Sequence, residues 1–186
     1  MLFRSLRDEA ADVIKELYDL GVSKVCMLTG DNERTAAAVA EKLDLTEYRS
    51  GVLPEDKLAF IKAEHTAGRK VMMIGDGVND APALAEADVG IAVNEGAAIA
   101  REISDITISS DDLHRIVLLR KLSMQLMNRI DNNYRFIVAF NAALIGLGVS
   151  GILTPASSAL FHNGSTILSG LYSTTSLLDE VEEEIK

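Results

Sequence analysis

The first two thirds of the chain alternate short apolar runs with amphipathic segments. Residues 8–20 place Val13, Ile14 and Leu17 on one face of a predicted helix, and the apolar run Lys24–Leu28 predicts a short buried strand. The alternation continues with predicted helices at Glu33–Leu43, Pro54–Gly68, Pro82–Ala87, Gly96–Ser104 and Asp111–Asn128, and predicted strands at Val71–Ile74, Asp88–Val93 and Asp105–Ser109. Residues 1–128 are therefore predicted to form an α/β domain, a mostly parallel sheet with helices on both faces.

A different pattern follows, because residues 136–178 contain no Asp, Glu, Lys or Arg. The first uncharged run, Phe136–Leu153, is 18 residues long, and a bilayer core takes about 20 helical residues. The second run, Ala156–Leu178, is long enough to cross the bilayer in the opposite direction. A buried core helix is the alternative, but the length, the glycines and the second run favour a two-helix transmembrane hairpin over residues 129–178.

Basic residues and an acidic tail flank this hairpin. Four basic residues precede its first uncharged run, Phe136–Leu153: Arg120, Lys121, Arg129 and Arg135. Because basic residues are in excess on the cytoplasmic side of membranes, the start of the hairpin and the α/β domain are expected there. Residues 179–186 are predicted to be a solvated acidic tail.

Polar side chains recur along one face of the second predicted transmembrane helix. They are spaced three or four residues apart, at Ser158, His162, Ser165, Thr166, Ser169 and Ser173. Such a face suits a polar pathway or a protein interior better than lipid. Imidazole is a common ligand of transition metals, and Asn163, Ser165 or Thr166 would coordinate beside it or orient it. Alternatively, His162 hydrogen-bonds to a neighbouring helix and the small residues serve close packing; the spacing leaves both open.

The loop GDGVNDAP, directly after a predicted strand, combines two carboxylates with glycine. In parallel sheets, polar chemistry collects at the carboxyl ends of the strands. Carboxylates suit Mg²⁺, so Asp76 is predicted to be a direct ligand and Asp80 a second acid. Gly75 and Gly77 allow a sharp turn and a close approach to a ligand. The alternative for Asp80 is that it merely caps the following helix.

Two further polar loops provide groups suited to phosphate. The hydroxyl of Thr29 and the amides of Gly30 and Asp31 lie between a strand end and a helix start, where a phosphate is readily bound. Lys57 provides a positive charge for a phosphoryl oxygen. Taken singly, both segments are also compatible with an ordinary turn and a solvated lysine.

Charge and cysteine content narrow the range of functions. The formal net charge is −10, which argues against nucleic acid as a partner, since nucleic-acid binders carry a basic face. The one cysteine, Cys26, cannot form an internal disulfide and suggests a reducing compartment.

The segments MLTGDN, PEDK and MIGDGVNDAPALAEADVGIA, in this order and spacing, resemble the phosphorylation domain of P-type ATPases. That domain has the haloacid-dehalogenase-like (HAD-like) fold, so the resemblance implies a partial Rossmann-like sheet. It also implies Mg²⁺ and ATP as cofactors, with ATP bound mainly by a domain that this sequence lacks.

The resemblance also implies roles for the residues of these motifs. Thr29 and Asp31 contact the phosphoryl group or position the residues that do, and Lys57 stabilises its charge. Asp76 binds Mg²⁺, and Asn79 and Asp80 complete the site.

The layout of the chain is similar to that of heavy-metal-transporting P-type ATPases, in which this domain runs into two final transmembrane helices. The segment HNGST (His162–Thr166) resembles a metal motif in the last helix of one branch. The resemblance implies an integral protein of the plasma (inner) membrane and a transition-metal ion, of the Zn, Co, Fe, Cd or Cu class, as its cargo.

P-type ATPases phosphorylate the aspartate of a DKTGT segment, and this sequence contains none. We therefore expect a carboxyl-terminal fragment that provides the magnesium and phosphate clamp, needs the amino-terminal part of the ATPase and is inactive alone. Two alternatives remain: a stand-alone HAD-like phosphatase, and a non-catalytic membrane protein that keeps the phosphate-binding fold.

Overall fold

The computed structural model describes residues 9–76, 79–93, 102–108 and 112–178, and the chain forms two compact units, Met1–Val117 and Leu118–Lys186. Three predicted features lie wholly or mostly outside the described residues: Gly77, the helix at Gly96–Ser104 and the acidic tail.

Helices and strands alternate along the first unit, as the sequence predicts. The helices are α1 (Ala10–Asp19), α2 (Glu33–Lys42), α3 (Pro54–Thr66) and α4 (Ala81–Glu86), and the strands are β1 (Cys26–Leu28), β2 (Glu47–Arg49), β3 (Met72–Gly75), β4 (Val89–Ala92) and β5 (Ile106–Thr107). The predicted α/β class is confirmed. The strand β2 was not predicted, because its three residues include two charges and no apolar run.

The described strands form two parallel sheets, β1-β2 and β3-β4-β5. Cys26 lies opposite Glu47 in the first sheet, and Met72 lies opposite Val89 in the second. The prediction of one sheet is therefore wrong for the described residues, since within them β1 pairs only with β2 and β3 only with β4. A parallel strand is normally buried on both faces, yet Met72 and Ile74 of β3 are 36% and 37% exposed.

The core of the first unit is well packed around α4 and β4. Leu84 and Ile91 are almost fully buried. Gly90 faces the backbone of α4 so closely that a β-carbon there would lie 2.6 Å from the Leu84 carbonyl oxygen. Glycine at this position therefore lets helix and strand approach each other.

The surroundings of Cys26 indicate a structural and not a reactive thiol. It is half-buried in β1, and burial raises the pKa of its thiol to about 11. The thiol consequently stays protonated at neutral pH and is a poor nucleophile.

A cluster of charges surrounds Glu64, near the end of α3. Glu64 is buried; it accepts a hydrogen bond from Lys24 at 3.0 Å and another from Arg69. Arg69, followed by Lys24, lowers the pKa of the Glu64 carboxyl to about 2. The ionised form of Glu64 therefore contributes to the stability of the fold.

We expect Glu64→Gln to lower the free energy of unfolding at neutral pH by about 1–2 kcal/mol, because a charged hydrogen-bonded pair is lost. The pKa is depressed in the folded state, so this stability is present above the ordinary carboxyl value of about 4.3 and lost as the pH falls towards 2. Urea unfolding between pH 7 and about pH 2 measures it. The variant and the parent should converge in acid, whereas Glu41→Gln, on the exposed side of α2, should follow the parent throughout; equal stability of Glu64→Gln and parent at pH 7 would contradict the prediction.

The second unit is built on two long helices. The helix α5 runs from His114 to Val149 and α6 from Pro155 to Ser173. The predicted end of the Asp111–Asn128 helix at Asn128 is wrong: no glycine or proline lies between Asn128 and Phe136, and the helix continues to Val149. The predicted end of α6 at Leu178 is also wrong, since the helix ends at Ser173 with a Thr174 C-cap.

Within the residues that the structure describes, no helix combines the length and the hydropathy needed to cross a bilayer.

Candidate functional site

The loop after β1 holds the first group of predicted site residues. The Thr29 hydroxyl donates to the Asp31 carboxylate at 3.1 Å and accepts from the Asp31 amide at 3.1 Å. The amide of Gly51 donates to the Asp31 carbonyl at 2.8 Å, and that of Val52 to the Thr29 carbonyl at 3.0 Å. Thr29 and Asp31 are thus held together by each other and by the loop before α3. The Asp31 amide, predicted to cradle phosphate, donates to Thr29 in this structure.

Local sequence signals place Lys57 in the first turns of α3. Pro54 begins the helix, as predicted, and the Asp56 carboxylate accepts from the Leu53 amide at 3.0 Å. This cap satisfies one of the amides that a helix start leaves without a partner. Lys57 follows directly, and its side chain is only 14% exposed.

A close ion pair joins Lys57 to the second predicted acid. The Lys57 Nζ donates to the Asp80 Oδ1 at 2.6 Å, and the Asp80 side chain is 11% exposed. Asp80 lies at the N-cap position of α4, but its side chain makes no capping hydrogen bond there. The alternative in which Asp80 merely caps this helix is therefore wrong, because the carboxylate turns to the lysine instead.

Gly75, the last residue of β3, makes room for this carboxylate. A β-carbon at Gly75 would lie 2.5 Å from Asp80 Oδ2 and 2.9 Å from Asp80 Cβ. Any side chain at this position would displace Asp80. The close approach that the sequence predicts for Gly75 is thus made to Asp80 of the same chain.

Asp76 and Asn79, two of the described residues of the loop between β3 and α4, are exposed. Asp76 follows the end of β3 directly, and Asn79 precedes the buried Asp80. The structure therefore brings Gly75, Lys57 and Asp80 into one contact group and places Asp76 beside it in sequence, at the carboxyl end of a parallel strand.

His162 lies on α6 and bonds to α5. Its Nδ1 is 2.8 Å from the Oδ1 of Asn141. The hydroxyls of Ser165 and Thr166 both donate to the His162 carbonyl, at 2.8 and 3.0 Å. The contact that the packing alternative predicted for His162 is present, while Asn163, the other predicted metal residue, is exposed.

Further polar contacts link α5 and the end of α6. Arg129 is buried; its Nη1 donates to the Thr175 carbonyl at 2.7 Å, and its guanidinium lies 5.1 Å from the centre of the Tyr172 ring. Asn133 donates to the Ser173 hydroxyl at 2.8 Å. Part of the polar face predicted on α6 therefore faces its neighbouring helix.

Comparison with known proteins places this arrangement in a family. Residues 2–88 match the model of the haloacid dehalogenase-like hydrolases. The chain is 44% identical, over 87% of its length, to a zinc-exporting P-type ATPase of Mycobacterium marinum and 42% identical, over the same share, to a manganese-exporting P-type ATPase of Mycobacterium tuberculosis. This chain is a homologue of the heavy-metal P-type ATPases.

Solved structures agree with this conclusion and confirm the resemblance found in the motifs. A zinc-transporting PIB-type ATPase, solved in its E2.Pi state, superposes with a TM-score of 0.82 at 34% identity over 91% of the chain. The chain spans 22% and 23% of the lengths of the two mycobacterial relatives and 28% of that solved chain. The chain therefore spans about a quarter of the length of each of these proteins.

The loop between β3 and α4 has the side chains for a magnesium ion that is bound by few protein ligands. Within residues 9–76, 79–93, 102–108 and 112–178, no cluster of three or more His, Cys, Asp or Glu side chains could hold a metal. Mg²⁺ is usually held by one or two carboxylates together with waters and phosphate oxygens. Asp76 and Asp80 are the two carboxylates of this loop that could take part in such a site, and Asp80 is also engaged by Lys57.

The sequence did not predict Asn141 as the partner of His162. A signal for it exists, since Asn141 is the one amide side chain in the uncharged run Phe136–Leu153. A polar residue in such a run commonly bonds to a neighbouring helix. What the sequence does not reveal is which polar residue of α6 lies opposite.

Proposed function

We propose that this chain is part of an ATP-driven exporter of heavy-metal cations, and that it supplies the magnesium and phosphate clamp and a membrane metal site. The observation that carries the proposal is the buried Lys57–Asp80 ion pair, packed against Gly75 at the end of β3. A structural ion pair does not require a glycine-rich loop beside it, whereas a clamp for a charged phosphoryl group requires both charge and close backbone approach.

In the proposed reaction, the γ-phosphoryl group of ATP passes to an aspartate on a segment outside this sequence. A bound Mg²⁺ would supply positive charge to stabilise the phosphoryl oxygens. Asp76 would hold the ion, and Lys57, kept in position by Asp80, would present its charge to the phosphoryl group. Thr29, Gly30 and Asp31 bind or position the phosphoryl group from the end of β1, and Asn79 completes the loop.

The division of the strands into two sheets supports the proposal that a further strand carries that aspartate. In the described residues β1 and β3 each pair on one side only, and Met72 and Ile74 of β3 are over a third exposed. A parallel strand between β1 and β3 would join the sheets and end beside both phosphate-binding loops. The chain by itself then lacks the nucleophile and has no turnover.

We further propose that residues 129–178 form a transmembrane hairpin in the plasma (inner) membrane, that residues 1–128 are cytoplasmic and that residues 179–186 are a tail. Residues 136–178 contain no Asp, Glu, Lys or Arg, which supports the proposal. The side chains of Asn133 and Asn141 also hydrogen-bond to α6, a kind of contact that is common between helices in lipid.

His162 is the proposed centre of the site for the transported transition-metal ion, with Asn163, Ser165 and Thr166 as neighbours. Imidazole nitrogen suits zinc and other late divalent metals, and hydroxyl and amide oxygens add harder ligands. The two mycobacterial relatives are named as exporters of zinc and of manganese. We propose a divalent transition-metal ion as the cargo class.

The experiment is metal-stimulated ATP hydrolysis by the intact ATPase that contains this chain. We expect His162→Ala to lower Zn²⁺- or Mn²⁺-stimulated activity by about 10-fold or more, because a ligand of the ion is lost. Ser158→Ala, one turn earlier on the same face of α6, is the matched control and should leave the activity near that of the parent. An unchanged metal response in His162→Ala would return this residue to a packing role.

A further inference from the structure

The contact between Asn141 and His162 determines which ring nitrogen can carry a hydrogen. The Oδ1 of Asn141 lies 2.8 Å from Nδ1 of His162. An amide oxygen has no hydrogen to donate, so Nδ1 must be the donor. In a neutral imidazole with hydrogen on Nδ1, the lone pair is on Nε2.

The neighbourhood of His162 also restrains its backbone. The Ser165 and Thr166 hydroxyls both donate to the His162 carbonyl, so each hydroxyl hydrogen has an acceptor within α6. The hydroxyl oxygens keep their lone pairs. His162 is therefore held at two points, at the carbonyl by its own helix and at Nδ1 by α5.

We propose that Asn141 is a positioning residue that keeps His162 in its Nδ1–H tautomer and so presents the Nε2 lone pair to the transported metal. A histidine that binds a metal usually donates its other ring N–H to an oxygen acceptor, which sets the tautomer and the ring orientation. Asn141 has the acceptor for this role at the required distance. This role depends on the proposed function only for the statement that His162 binds the metal. The tautomer itself is a property of the chain without metal.

The same helix pair contains a matched control. Asn133 donates its amide to the Ser173 hydroxyl at 2.8 Å, so it also links α5 to the end of α6. If Asn141 served only to join the helices, removal of either amide would have a comparable effect. A positioning role predicts that only Asn141 changes the imidazole.

The first measurement is ¹⁵N NMR of the histidine-labelled full chain in detergent, without metal, at a pH of about 8.5, two units above the ordinary value of about 6.5 for a histidine side chain. In the parent, the hydrogen-bearing nitrogen of His162 should be Nδ1. Asn141→Leu should lower the Nδ1–H fraction, and Asn141→Asp, which keeps an oxygen acceptor, should retain it. Asn133→Leu should leave the tautomer unchanged.

The second measurement is Zn²⁺ binding to the same proteins by titration calorimetry. We expect Asn141→Leu to weaken binding by about 10- to 100-fold, with rescue by Asn141→Asp and little change in Asn133→Leu. An Nε2–H tautomer in the parent would overturn the proposal, and so would equal losses in Asn141→Leu and Asn133→Leu. An Nδ1–H tautomer that depends on Asn141 would support the positioning role. Normal Zn²⁺ binding by His162→Ala would count against the proposed metal site, but not against the effect of Asn141 on the tautomer.

Discussion

Asp80→Ala in the intact ATPase is expected to abolish phosphoenzyme formation from ATP, a loss of at least about 100-fold. The change removes the carboxylate that pairs with Lys57 at 2.6 Å and belongs to the proposed magnesium site. The measurement is acid-stable incorporation of ³²P from γ-labelled ATP. Asp76→Ala is expected to give the same loss, because it removes the proposed direct magnesium ligand.

Asp88→Asn is the matched control for this experiment. Asp88 also pairs with a lysine, Lys70, at 2.7 Å, but it precedes β4 and so lies at the amino end of the strand, away from the proposed site. It should form phosphoenzyme at the parental level. Normal phosphoenzyme in Asp80→Ala would refute the role assigned to this carboxylate.

A double variant separates chemistry from stability. In Asp80→Ala the ammonium of Lys57, 14% exposed, loses its counter-charge, which should cost about 3 kcal/mol of the free energy of unfolding. Adding Lys57→Met removes the uncompensated charge and should restore most of that stability. Phosphoenzyme should nevertheless stay absent, because both charges of the clamp are then missing.

The second large effect is expected for Gly75→Ala. The added β-carbon would lie 2.5 Å from Asp80 Oδ2, so the carboxylate must move and its pair with Lys57 must open. We expect phosphoenzyme formation to fall about 100-fold, and the free energy of unfolding to fall by about 1–3 kcal/mol. Phosphorylation per folded molecule and denaturant unfolding measure the two effects.

Gly90→Ala tests whether steric overlap alone accounts for that result. Its added β-carbon would lie 2.6 Å from the Leu84 carbonyl oxygen, an overlap of similar size that involves no carboxylate. It should destabilise the unit as much as Gly75→Ala, or more, while the folded fraction keeps its phosphorylation. Equal losses of phosphorylation per folded molecule would show that Gly75 acts only through stability.

The sequence located the three polar loops of the proposed site, because strand ends and helix starts are indicated by neighbouring residues. Pro54 predicted the start of α3, and glycine beside aspartate after an apolar run predicted a functional loop at the end of β3. The contact made by Asp80 could be assigned only from the fold, because an aspartate before a helix can either cap that helix or form an ion pair. The decision depends on Lys57, which lies 23 positions earlier in the chain.

Pairing between distant segments accounts for the expectations that failed. The residues Glu47–Arg49 have no pattern of a strand and become one because β1 offers them a parallel edge. Conversely, the predicted single sheet is divided in two, because pairing requires a neighbouring strand that the local pattern cannot supply. In the second unit, the uncharged stretch was evident from composition, but the continuity of α5 through Asn128 was not.

The amino-acid order alone determined the α/β class, the aspartate–glycine loop and the uncharged carboxyl-terminal stretch, because these follow from periodicity and residue type within a few positions. Only the tertiary structure decided that Asp80 turns to Lys57 and that His162 meets Asn141. Both contacts join groups more than twenty positions apart, and hydrogen bonds act over about 3 Å, so folding must bring such partners together before either side chain acquires its role.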